Sequence, residues 1–162
     1  MDRPEYIVIH HSLTPDRLLP DWEAIKRYHV KEKGYQDISY HWGIEDVNGV
    51  TVLQVGRPTT MQGAHCKEYG MNRRSFGICV VGNFDLAPPP LRTLHYLRDF
   101  VWALMVNHGI PVQKVIGHRE AGLMAGFDWR KGQYKSCPGK YFPLSGLRNL
   151  LTGRASPFDN GE

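Results

Sequence analysis

Four side chains in this sequence could do chemistry: His10 and His11 in EYIVIHHSLT, His118 in VIGHRE and Cys137 in KSCPG. The apolar run Tyr6 to Ile9 leads directly into the histidine pair, so a buried-looking strand ends in two imidazoles. His118 closes a second short apolar run, and Cys137 stands in a turn beside Pro138, where a thiol gains little from packing. A lone histidine at a strand end is more often a satisfied structural residue than a ligand. Two imidazoles and one thiolate on separate loops are a different matter, because they form a donor set suited to zinc. Three protein ligands leave the fourth tetrahedral position for water, as in hydrolytic zinc sites. The wide spacing is unlike that of a structural zinc finger, whose ligands come in close pairs. Three cysteines are an odd count with no tight CxxC pair, which argues against a disulfide framework. Cys79, inside an apolar run, reads as a small buried hydrophobe.

The elements that must hold these residues follow from periodicity. YIVIH is short and apolar on both faces, the pattern of a covered strand. PDWEAIKRYHVKEKG has Trp22, Ile25 and Tyr28 at helical spacing, with Asp21 near its start and Gly34 just past its end. YHWGIED and VTVLQVG flank Val47-Asn48-Gly49, and Asn-Gly between two such runs predicts a hairpin. SFGICVVGNF is another buried strand. LRTLHYLRDFVWALMVNHG places Leu91, Leu94, Leu97, Val101, Leu104 and Met105 on one stripe and ends at Gly109, the clearest helix of the chain. VQKVIGH is a short strand and PLSGLRNLL a last helix. The expected architecture is α/β: one central mixed β-sheet flanked by helices. Residues 122–139 form a glycine- and aromatic-rich loop without periodicity, and a loop that long in a compact domain is usually functional. His29, His95 and His108 fall in expected helices and read as surface or packing residues.

Composition narrows the partners. The chain has 162 residues, 41% of them hydrophobic, a formal net charge of +4 and a pI near 9.0, which fits one globular domain with an anionic partner. Its basic residues are scattered rather than blocked, so nucleic acid is not an expected partner. No apolar run approaches the roughly 18 residues of a membrane helix, and the N-terminus does not read as a signal peptide. Synthesis in the cytoplasm and no membrane insertion are therefore expected. The domain is expected over residues 1–152, with 153–162 as a flexible tail, and the chain is expected to act as a monomer.

IVIHHS, SYHWGI, GAHC followed by NRRSFGICVVGNF, VIGHRE and KSCPG occur here in an order that resembles the type-2 N-acetylmuramoyl-L-alanine amidases. That family includes the peptidoglycan recognition proteins and phage lysozymes that are amidases. The resemblance spans roughly Tyr6 to Leu151 and implies an amidase-2 fold. It implies one zinc held by His10, His118 and Cys137, with His11 as a neighbour. It also implies that Tyr40 lies beside the metal and that Lys135, two residues before the cysteine, marks the phage-lysozyme branch. His65 matches a histidine of the substrate groove, and Asn72 is a further groove candidate. His41 is expected to be structural, since it follows Tyr40 and faces the other way. Two segments depart from the family pattern. The loop HCKEYGMNRRS is about two residues longer than in the phage branch, and the stretch between His118 and Cys137 is much longer. In that stretch Trp129 and Tyr134 are candidates for stacking on sugar.

The implied reaction is hydrolysis of the amide between N-acetylmuramic acid and the L-alanine of the peptide stem, with peptidoglycan or a muropeptide as partner. Zinc lowers the pKa of a bound water to about 7 and polarises the carbonyl. Lys135 and Tyr40 are then donors to the developing oxyanion, or Tyr40 positions the nucleophilic water. A phage or prophage endolysin, reaching the wall after holin-dependent release, is the expected setting. A non-catalytic peptidoglycan-binding module and a cytoplasmic muropeptide-recycling amidase are the competing readings. The latter branch usually carries aspartate where Cys137 stands.

Overall fold

The computed structural model describes residues 3–14 and 22–153, so Asp21 and the expected tail beyond Gly153 lie outside the described residues. Five strands form one sheet: β1 (Tyr6–His11), β2 (Trp42–Val47), β3 (Val50–Val55), β4 (Ser75–Val80) and β5 (Val115–Gly117). Their order is β3-β2-β4-β1-β5, with β2 and β3 antiparallel and the other neighbours parallel. The sheet is thus mixed. The hairpin supplies its one antiparallel pair, through Asn48 and Gly49 at φ +52° and +83°. Both turn residues have the positive φ that a two-residue type I′ connection requires.

β1 pairs with β4 and β5, and both its faces are covered, since every residue from Ile7 to His11 is buried. Because side chains alternate along a strand, Ile7 and Ile9 face one way and Val8 and His10 the other. The Ile7 face packs with Phe76, Ile78 and Val80 of β4 against α3 (Leu91–His108) and α5 (Leu144–Thr152). The opposite face holds two smaller clusters. Val8 and Ile116 pack with Cys66, Met71 and Ala121, and Cys79 packs with Trp22, Ile25 and Ile38. Ala121 belongs to α4 (His118–Met124), Trp22 and Ile25 to α1 (Trp22–Arg27), and Met71 to the short α2 (Met71–Arg74).

Three expectations are adjusted. The first helix is regular only through Arg27 and continues as a π-helical turn over Tyr28–Glu32, ending before Gly34 at φ +68°. The apolar stripe of α3 is buried through Thr93, Leu97, Val101 and Leu104, whereas Leu91, at the exposed first turn after Pro90, stays 67% accessible. The stretch 122–139 is not all loop: α4 runs into it as far as Met124, and a 3-10 turn spans Trp129–Lys131.

Candidate metal centre

His10 and His11 are separated by the strand period. His11 turns toward the Ile7 face, where its Nδ1 accepts from the Phe84 amide and its ring packs on Phe84. His10 turns to the other face and is 1% accessible. There it meets residues from two distant segments. Its Nδ1 lies 3.7 Å from the Cys137 thiol, and its ring centroid is 4.7 Å from that of His118. One donor atom from each of His10, His118 and Cys137 falls within 4.8 Å of the others.

The motif around His118 explains its own residues. His118 is the first residue of α4, immediately after β5. The Glu120 carboxylate accepts from the Gly117 amide and is itself gripped by Arg148, which fixes the strand-to-helix junction. Arg119 reaches the Cys137 turn: its amide donates to the Cys137 carbonyl and its guanidinium to the Gly139 carbonyl. Asp85 secures the same turn, accepting from the Ser136 hydroxyl and the Lys140 amide.

The donors are buried and, on their own, uncharged. Burial and the neighbouring His118 and His65 push His10 well below the usual histidine range. Burial and the nearby Lys135 push His118 down to about 4. Burial pushes the Cys137 thiol up to about 12, with the His11 backbone and Lys135 pulling the other way. Two neutral imidazoles and a thiol form a pocket of lone pairs, and a divalent cation there would accept those lone pairs and favour the thiolate form of Cys137. Zinc–nitrogen and zinc–sulfur bonds in a tetrahedral site set those two atoms roughly 3.5 Å apart. The observed 3.7 Å between His10 and Cys137 matches that spacing. The residues present therefore fit zinc.

Tyr40 and Lys135 line the same cavity, of about 320 Å³, together with His10, His118 and Cys137. The Tyr40 ring centroid is 5.1 Å from that of His10, and burial, reinforced by Cys79, raises its phenol well above the ordinary value. Tyr40 is thus a proton-bearing donor at any working pH. Lys135 is exposed at the rim. His29, read from sequence as a surface or packing residue, also lines the cavity, and its Nδ1 accepts from the Ser39 amide. His41 is fully buried, with Nδ1 accepting from the Gly77 amide.

The three groove candidates separate. His65 lines the cavity, and its Nδ1 is 3.0 Å from Nε2 of His10, while its own Nε2 is buried with no hydrogen-bond partner among the described residues. The side-chain oxygen of Asn72 accepts from the Cys66 amide, so Asn72 braces the loop that carries His65 and also lines a second, adjoining cavity. Trp129 is not among the residues around either cavity; its ring lies under the Arg119 guanidinium, 4.7 Å away. Two contacts of His118 escaped sequence reasoning. Glu68 approaches Nε2 of His118 to 3.3 Å, and the Tyr134 hydroxyl, read from sequence as a sugar-stacking candidate, is 3.0 Å from the same nitrogen.

The chain is similar to known proteins in sequence and in fold. A family profile described as N-acetylmuramoyl-L-alanine amidase matches residues 1–140. The chain is 29% identical over 124 residues to the human N-acetylmuramoyl-L-alanine amidase, covering 71% of this chain and 21% of that one. It is 35% identical over 81 residues to the endolysin of Enterobacteria phage T3, covering 50% of each. The chain thus spans about a fifth of the human relative's length and half of the phage protein's. Among solved structures, the N-acetylmuramoyl-L-alanine amidase LysC from Clostridium intestinale URNW superposes with a TM-score of 0.73 at 25% identity, over 94% of this chain and 87% of that one.

Proposed function

Because the chain belongs to the N-acetylmuramoyl-L-alanine amidase family, we propose that it is a zinc-dependent amidohydrolase acting on the amide that joins N-acetylmuramic acid to L-alanine in peptidoglycan. The observation that carries this reading is the meeting of His10, His118 and Cys137 donor atoms in a cavity that Tyr40 and Lys135 also line.

His10, His118 and Cys137 would hold the metal. Zinc bound there supplies a Lewis acid and a water of lowered pKa. The protein's own groups do the rest. As the amide carbon becomes tetrahedral, negative charge gathers on its oxygen. The Tyr40 hydroxyl and the Lys135 ammonium donate toward that oxygen from the cavity wall, and such a donor is worth on the order of a hundredfold in rate. Asp85 and Arg119 hold the Cys137 turn, so the third donor and Lys135 keep their positions relative to the sheet. The net charge of +4 favours approach to an anionic wall.

The biological role we propose is that of a phage or prophage endolysin working on the wall as a monomer. The cysteine as third donor, Lys135 two residues before it and the likeness to the phage T3 endolysin support it. Among the described residues, no helix is long and apolar enough to cross a membrane. The test is release of new L-alanine amino termini from purified peptidoglycan, with and without a chelator. Turnover that stops with chelator and returns with zinc is expected. Wall binding without release of amino termini would make the chain a recognition module instead.

A further inference from the structure

The loop residue Glu68 has no part in the chemistry above, yet its carboxylate is buried beside His118. Its side chain is 8% accessible and that of His118 4%, with 3.3 Å between Oε2 and Nε2. The Tyr134 hydroxyl lies 3.0 Å from the same nitrogen and also donates to the Glu68 carboxylate. Both residues come from segments outside the sheet and the long helices, the loop after His65 and the stretch between α4 and Cys137. Tyr134 is seated by a glycine. A Cβ on Gly122 of α4 would stand 2.3 Å from the Tyr134 ring, so no larger residue lets the ring pack there.

We propose that Glu68, braced by Tyr134, is a positioning residue for the metal centre: it accepts the Nε2 proton of His118 and so leaves Nδ1 as the lone-pair nitrogen offered to zinc. A carboxylate is an acceptor only, so the nitrogen facing it must carry the proton. An imidazole held in one tautomer and one ring plane gives up less freedom on binding a metal, and the carboxylate makes it a stronger base. His10 is handled differently, through the neutral His65 ring at 3.0 Å. The same corner holds a competing possibility. Cys66 Sγ lies 3.6 Å from the same Glu68 oxygen, Oε2, and Cys66, Glu68 and His118 together form a donor cluster of their own.

The inference rests on His118 being a zinc ligand, and the test separates the two. Nitrogen-15 spectra of the metal-free protein report the His118 tautomer without any metal, while chelator competition reports zinc affinity and stoichiometry. Wild type should show a single Nε2-protonated His118 and one zinc per chain. Glu68→Ala should mix the tautomers and weaken zinc by about 10- to 100-fold. Glu68→Gln keeps the shape but replaces an obligatory acceptor with an amide that can also donate. It should mix the tautomers less and weaken zinc to an intermediate degree, and it carries the test if the alanine variant does not fold. Tyr134→Phe should move both readouts the same way by less. An unchanged tautomer and unchanged affinity in Glu68→Gln would overturn the proposal. So would a second zinc equivalent in wild type that is lost in both Cys66→Ser and Glu68→Ala, which would make Glu68 a ligand. A pure Nε2-H tautomer in a protein that binds no zinc would sink the proposed function while leaving the Glu68 contact standing.

Discussion

The two histidines that face the cavity are built in opposite ways. His10 ends a central strand hydrogen-bonded on both sides, so sheet register fixes its place, and its outer nitrogen meets only another neutral ring. His118 follows the three-residue edge strand β5 at the start of a seven-residue helix. Its outer nitrogen meets a carboxylate and a phenol brought in by two irregular loops. Although burial opposes ionisation, the hydrogen bonds from Tyr134, from the loop backbone and from His118 hold Glu68 down to about 2. One side of the centre is thus scaffolded by the core, the other by polar contacts among loops. Damage to the first should appear as lost stability, and damage to the second as lost affinity or rate at nearly unchanged stability.

The largest expected effects compare the two proposed oxyanion donors, Tyr40 and Lys135, one on each side. Tyr40→Phe and Lys135→Ala should each keep the fold and the zinc while lowering kcat by on the order of a hundredfold. Steady-state kinetics with parallel metal analysis reads both. Wild-type turnover in Lys135→Ala would mean that the loop side holds metal and does nothing more.

A pair of glycines gives the sharper contrast. A Cβ on Gly77 of β4 would lie 2.5 Å from the His65 ring, and one on Gly122 would lie 2.3 Å from the Tyr134 ring. Gly77→Ala overpacks the core and should cost roughly 1–3 kcal/mol of stability. Gly122→Ala pushes only a loop residue aside and gains helix propensity of up to about 1 kcal/mol. Its thermal midpoint should stay close to that of wild type while zinc affinity falls. Equal destabilisation of the two variants in chemical denaturation would erase the distinction between the sides.

Acid should act on both sides at once. Burial, which outweighs the pull of Asp85, holds His11 at about 4, and burial together with Lys135 holds His118 at about 4. In the unfolded chain each titrates near 6.5, so between about pH 6.5 and pH 4 the unfolded state binds more protons. Their contribution is complete above about 6.5 and is lost as the pH falls toward 4. Denaturation of the metal-free protein should therefore show a loss of about 2 kcal/mol per histidine between pH 7 and pH 5. A flat profile over that range would mean that these rings are not buried as neutral bases.

The same asymmetry decided what could be read from sequence. His10 announced itself because an apolar strand ran into it, and His118 and Cys137 because a second strand end and a Cys-Pro turn are poor places for idle donors. The hairpin followed from Asn48-Gly49 and the long helix from the stripe that ends at Gly109. Period-2 alternation also separates His10 from His11, as the packing of His11 on Phe84 bears out. Glu68 and Tyr134 were out of reach because their contact crosses 66 positions of sequence between loops with no period to extrapolate. The contact of the Trp129 ring with Arg119, the residue that ties down the Cys137 turn, was out of reach for the same reason. One local signal was available and overlooked. Gly117 followed at the third position by Glu120 is a helix-start pattern, and it marks the start of α4 at His118.

The central claim is that His10, His118 and Cys137 together bind one zinc ion. Its most direct test is the zinc content of purified, folded protein for wild type and for Cys137→Ser, with circular dichroism as the check on folding. One equivalent in wild type and strongly reduced zinc in a folded Cys137→Ser is the predicted result. Full occupancy in the serine variant would contradict it.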